Sequence, residues 1–137
     1  MSPAARLIRS PTLASTAEYA YAAVTVPGSQ LVFCAGACPL DAGGATLGVG
    51  DIRAQTRQVM DNLRTSLADA GAGFERRRPY NRLRRVIRAR GSCCLLGGGS
   101  RRPSAVPHDP PSTLIGVPVL GYADQLVEVD AVAAIKV

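Results

Sequence analysis

The chain has 137 residues, 47% of them apolar and 19% charged, with 16 Lys+Arg against 10 Asp+Glu and a formal net charge of +6. That length suits one domain with an ordinary core, and the apolar fraction excludes a wholly disordered or fibrous chain. No run approaches the roughly 20 apolar residues that span a bilayer, and the start of the chain is mixed in character rather than a charged segment followed by an apolar block; the reading is a soluble protein with no signal peptide and no membrane partner, and a cytoplasmic location follows from reading its cysteines as free thiols.

In chain order, residues 19–26 and 30–36 are rich in Val, Tyr, Phe and Leu, and Pro27-Gly28 between them is a turn signal, which predicts two antiparallel strands. A Pro-Leu-Asp-Ala-Gly-Gly loop at 39–44 and a short strand at 45–47 follow. Asp51 is a carboxylate N-cap for an amphipathic helix in which Ile52, Val59, Met60, Leu63 and Leu67 recur at helical spacing, ending near Gly71 or Gly73. Its polar face carries Arg53, Arg57, Asp61 and Arg64. Beyond the middle of the chain, residues 112–120 read as an apolar strand in which Pro118 favours an edge or a bulge. After a turn at 121–124, the alternation of Leu126, Val127, Val129, Val132 and Ala134 with Glu128 and Asp130 predicts a last strand.

The middle is different. Ten of the 15 arginines, Arg76 the first and Arg102 the last, fall within residues 76–102, which contain no acid; the rest of the chain has 6 basic against 10 acidic residues, a net of −4. Residues 76–107 show neither a helical nor a strand period, and only Leu83, Val86 and Ile87 form a modest apolar cluster. The cysteines fall as Cys34, Cys38 and the pair Cys93-Cys94. Neither spacing is a C-x-x-C, and Cys34 and Cys38 sit in an apolar run, so buried free thiols are preferred over a zinc site and no metal is expected.

Four blocks carry a resemblance: Leu31-Val-Phe-Cys-Ala-Gly-Ala-Cys-Pro-Leu-Asp41, Asp51-Ile-Arg-Ala-Gln-Thr-Arg-Gln-Val-Met-Asp-Asn-Leu63, Gly71-Ala-Gly-Phe-Glu75 and Gln125-Leu-Val-Glu-Val-Asp-Ala-Val-Ala133. Together they resemble the Rid family of reactive intermediate deaminases, formerly YjgF. The resemblance implies a single Rid-like domain over residues 1–137. Its fold would be α+β, chorismate-mutase-like, a mixed sheet with helices packed on one face and a degenerate second helix region. It also implies a homotrimer with sites at subunit interfaces, and hydrolysis of small enamine or imine intermediates with no cofactor.

Where this family has a strand of the type Thr-Thr-Val-Tyr-Val-Ala and a second helix, the chain has its arginine-rich segment. Tyr80 to Arg88 can be encoded by TAC AAC CGT CTA CGT CGC GTC ATC CGC; read one base later, the same bases give Thr-Thr-Val-Tyr-Val-Ala-Ser-Ser. The segment at about 76–105 therefore reads as a frame-displaced stretch. The competing reading is a basic patch for nucleic acid, since arginines draw phosphate through counterion release. Aromatic content of 4% leaves little stacking platform, so nucleic-acid binding through Arg76 to Arg102 is expected only as an adventitious effect of charge.

The resemblance also assigns a site. Imine hydrolysis asks for an acid/base group beside the attacking water and, for 2-iminoacids, a cation on the substrate carboxylate. Glu128 falls on the family's glutamate, Thr113 where Cys or Thr is usual, Tyr21 on the pocket tyrosine and Ala35 where Ser is frequent. Pro111 stands where active deaminases carry the carboxylate-binding Arg, which puts 2-iminoacid deamination in doubt. Glu128 can equally be the solvent face of a strand, and Tyr21 a core residue. A non-catalytic small-ligand or partner-binding module of the same fold is the alternative from another class.

Overall fold

A computed structural model describes residues 3–14, 19–72, 80–90 and 110–136, the stretch 80–90 through its backbone pairing. The elements in order are β1 (Ala5–Ile8), β2 (Ala22–Thr25), β3 (Ser29–Ala37), α1 (Ile52–Asp69), β4 (Tyr80–Arg90), β5 (Ser112–Val117) and β6 (Val127–Lys136). A four-stranded mixed sheet has the order β3-β6-β4-β5: β6 is antiparallel to both β3 and β4, and β5 runs parallel to β4 at the edge. A separate antiparallel pair joins β1 to β2. This is the expected α+β fold, a mixed sheet with α1 packed on one face; the expected second helix region lies outside the described residues, as do Cys93 and Cys94.

The helix follows its sequence signals closely. The Asp51 carboxylate accepts hydrogen bonds from the backbone N–H of Arg53 and Ala54, at 2.9 and 3.0 Å, and so satisfies donors that the first turn leaves without partners. Those bonds, the one from Ala54 foremost, hold the Asp51 carboxyl below its ordinary pKa. Ala70 caps the other end, and Gly71 follows at φ +75°, a left-handed conformation that a side chain would oppose. Val59, Leu63 and Leu67 are buried against Val127, Val129, Ala131 and Ala133, while Arg53, Arg57, Asp61 and Arg64 face solvent. Each buried Val or Leu side chain contributes about 1.5–3 kcal/mol of apolar burial. The buried stripe also contains Gln55, one turn before Val59.

Three expectations are corrected. The strands on either side of Pro27-Gly28 do not pair with each other. β2 pairs with β1, which the sequence reading had not marked as a strand, and β3 pairs with β6. The turn itself is real, with Gly28 at φ +78°, but it passes the chain from one sheet to the other, because the long apolar β6 offers β3 a more extended partner than four-residue β2 can. The strand expected at 45–47 is a single bridge, Leu40 to Thr46. Part of the segment that had no strand period, Tyr80–Arg90, forms β4, in register between two neighbours. At the sheet edge, β5 stops at Val117, immediately before Pro118.

Candidate functional site

Three of the five expected site residues share one open cleft of about 380 Å³, with Tyr19, Tyr21 and Ala22 on one side and Pro111, Ser112 and Thr113 on the other. The cleft is lined by the residues at the start of β2 and at the start of β5. Tyr21 is not a core residue: it is exposed, its hydroxyl donates to the Ala14 carbonyl, and its ring meets that of Tyr19 edge-on with centroids 6.2 Å apart. Pro111 places a ring without charge or N–H at the expected anchor position, so this residue offers a carboxylate nothing to bind.

Glu128 and Ala35 are not among the residues lining that cleft. Alternation along β6 buries Val127 and Val129 against α1 and sends Glu128 to the opposite face, where it is half-buried. The Gln125 Nε2 donor lies 3.4 Å from Glu128 Oε2, and the Cys38 thiol donates to the same oxygen at 3.6 Å. The other carboxylate oxygen sits over Gly36: a Cβ on that residue would be 2.1 Å from Oε1, so no side chain fits there while Glu128 holds this position. The approach comes from an irregularity in β3. Cys34 pairs with Ala131 and Ala37 with Val129, so β3 carries one more residue than β6 between the two pairs. Ala35 lies in that bulge and is exposed.

Burial, and then the negative charge of Glu128, raise the Cys38 thiol pKa, while a hydrogen bond to Gln125 acts the other way; burial raises Cys34. Both thiols are therefore held in the protonated, weakly nucleophilic form. Glu128 is the acid/base candidate of this group, and Cys38 is a hydrogen-bond donor to it.

The residues that anchor the chain segments around Glu128 were not singled out from the sequence. Gln55 is fully buried; its Nε2 donates to the Asp124 carbonyl at 2.8 Å and its Oε1 accepts from Leu126 N–H at 2.7 Å, which ties α1 to the turn before β6. Gln125, also fully buried, accepts from Tyr122 N–H and donates to the Val127 carbonyl. Asn62 donates to the carbonyls of both Cys38 and Leu40 at 2.8 Å, and Thr46 Oγ1 donates to the Ala123 carbonyl. A signal for Gln55 was present: it occupies the i position of the stripe continued by Val59, Leu63 and Leu67, where a polar residue must find partners once buried. Gly36, Cys38 and Gln125 stood inside the resembling blocks without a role.

A mixed four-stranded sheet with a helix against one face is shared with several solved structures. A Rid-family protein of unknown function from Yersinia pestis, YyfB, is 24% identical, with a TM-score of 0.74 over 96% of this chain and 99% of that one. A member of the YjgF/YER057c/UK114 family from Mycobacterium tuberculosis is 24% identical over 96% of this chain and 99% of that one, with a TM-score of 0.59. Yeast Mmf1 is 17% identical over 98% of each chain, with a TM-score of 0.56. Residues 10–90 match the family model described as Endoribonuclease L-PSP. The chain belongs to that family, the Rid family of the sequence resemblance. Among the described residues, no helix is long and apolar enough to cross a membrane.

Proposed function

We propose that this protein hydrolyses small enamine or imine intermediates without a cofactor, at a site completed between the subunits of a homotrimer. The observation that carries the reading is the Glu128 carboxylate, half-buried on the sheet face opposite α1 and hemmed by Gly36, Cys38 and Gln125. A carboxylate so placed takes a proton from water as the water oxygen bonds to the C=N carbon. Returning that proton to nitrogen gives a carbinolamine; transfer of its hydroxyl proton to nitrogen through the same carboxylate then lets the C–N bond break as the C=O bond forms, releasing ammonia and leaving a carbonyl product. Because Pro111 cannot pair with a carboxylate, imines recognised by shape and neutral contacts are favoured, and 2-iminoacids are poor substrates.

The trimer is supported by the same face. Alternation places Phe33 opposite Val32 and Cys34, which pack on the core, and Phe33 is 73% exposed. A second copy lying there would bury this apolar surface and close the space around Ala35 and Glu128. Size measurement of wild type against Phe33→Asp tests the assembly: a trimer that the substitution disperses supports it, and a monomeric wild type contradicts it. Activity is tested by ammonia release from an imine made in place, with Glu128→Gln as the control; turnover no faster than buffer and unchanged by the substitution contradicts the enzyme reading. Tight binding of the imine's carbonyl product without turnover would instead favour a binding module. The family description supplies one competing activity, RNA cleavage, and the arginines of 76–102 would draw an RNA to the surface. Cleavage of RNA that persists at high salt would favour that activity; RNA retention that vanishes with salt and leaves the strand intact is adventitious binding.

A further inference from the structure

We infer that Cys38 is a positioning residue for Glu128: its thiol and the Gln125 amide together fix the orientation of the carboxylate, and the carboxylate in turn keeps the thiol unreactive.

Oε2 of Glu128 receives both donors, Cys38 Sγ at 3.6 Å and Gln125 Nε2 at 3.4 Å, while the Oε1 side lies over the bare Cα of Gly36. The two donors come from different parts of the fold. The backbone of Cys38 is clamped to α1 by Asn62, whose Oδ1 accepts from Gln58 Nε2 at 2.9 Å. Gln125 is locked by Tyr122 N–H and the Val127 carbonyl in the chain that leads into β6. A carboxylate fixed by donors on two separately anchored segments loses freedom about its last torsion, which is the freedom that would misplace an acid/base group. The thiol has a second acceptor in the Gly36 carbonyl at 3.7 Å, but a charged acceptor makes the stronger hydrogen bond. Burial and the Glu128 charge both favour the protonated thiol, so the donor persists through neutral pH. Glu128 is the charged group that acts on Cys38, and Gln125 is the polar group that opposes it.

The catalytic half of this inference rests on the proposed hydrolysis; the coupling between thiol and carboxylate does not, and the experiment separates them. Full-length protein and Glu128→Gln are treated with iodoacetamide at a series of pH values from neutral to alkaline, and modification is read for each cysteine by mass spectrometry. In this reaction the thiolate sulfur bonds to the acetamide carbon and iodide leaves. The Cys38 profile is expected to move to lower pH in Glu128→Gln, with alkylation several-fold faster at neutral pH, while the Cys34 profile stays in place as an internal control. An unmoved Cys38 profile overturns the coupling, and equal movement of both cysteines reports loosened packing and overturns it as well. For the activity, Cys38→Val is expected to lower kcat about tenfold with KM unchanged, the loss of one charge-assisted hydrogen bond. Cys38→Ser, which keeps a donor, is expected to recover most of that loss. Equal loss in both variants, or none in either, overturns the positioning role. A protein that shows the alkylation shift but no turnover keeps the coupling and overturns the hydrolysis.

Discussion

β6 and β5 belong to the same sheet and are both apolar in sequence, yet they lie in different environments. β6 alternates between buried and half-buried positions along nearly its whole length, because α1 lies across it. β5 is exposed through its middle, with Leu114 at 36% and Ile115 at 39%. The helical period of residues 51–69 supplies the cover for β6. For β4 and β5, the sequence where the family resemblance places a second helix is instead rich in Arg and Gly. The difference teaches that strand pairing alone does not make a core: β4 pairs with β6 from Tyr80 to Ala89, across a register shift between Arg82 and Arg84, and with β5 from Arg85 to Arg90, yet five of its eleven residues are arginine, in a central strand where apolar residues would be expected. A displaced reading frame would account for this, since it would retain strand position while scrambling side-chain chemistry.

The well-covered half can be broken with Leu63→Ala. It removes a fully buried side chain from the α1–β6 contact and is expected to cost about 2–5 kcal/mol, read as a shift in the denaturant midpoint. A loss below that range would mean that α1 is not the main cover of the sheet. Conversely, restoring the alternative frame over residues 76–105 should remove the contrast, adding an apolar strand and a helix and raising the thermal midpoint by on the order of 10 °C. Equal midpoints count against the frame explanation, as do codons that give no Val-Tyr-Val strand one base out of register. Next in size is Gly36→Ala, whose methyl group would meet the Glu128 carboxylate; a stability cost of about 1–3 kcal/mol is expected, with a loss of hydrolysis larger than that cost explains. Unchanged activity would show that Glu128 can work from another position.

The smallest effect concerns the helix start. Asp51 has a folded pKa below its ordinary value, so its contribution is present above the unfolded carboxylate pKa and is lost as pH falls through the folded one. Asn at this position still accepts the capping hydrogen bonds but does not titrate. Asp51→Asn is therefore expected to flatten the acid limb of the stability curve slightly while leaving stability at neutral pH nearly unchanged; an unaltered acid limb would place the titration elsewhere.

These elements also show what could be read from the residues. α1 and β6 were legible because their periods of 3.6 and 2 are carried by large apolar side chains, and because Asp51, Gly71 and the turn before β6 punctuate them. Glu128, Tyr21, Ala35, Pro111 and Thr113 came from the resemblance. Only three of the five meet in one cleft, since Glu128 and Ala35 belong to the sheet face. The pairing of β3 with β6 was not legible, because Pro27-Gly28 is an ordinary turn signal and nothing local says that the strands it joins enter different sheets. The contacts of Gly36, Cys38 and Gln125 with Glu128 depend on a bulge in β3, a long-range register feature without a local signature. β4 was missed for a related reason: pairing partners distant in sequence, rather than its own composition, define it.

The most direct test is the hydrolysis of a small imine lacking a carboxylate, followed with purified wild-type protein and with Glu128→Gln under identical conditions. The account predicts clear acceleration over buffer by the wild type and a loss of about a hundredfold or more in the variant, with the fold intact by circular dichroism. Equal rates for the two proteins, or a wild type no faster than buffer, would contradict it.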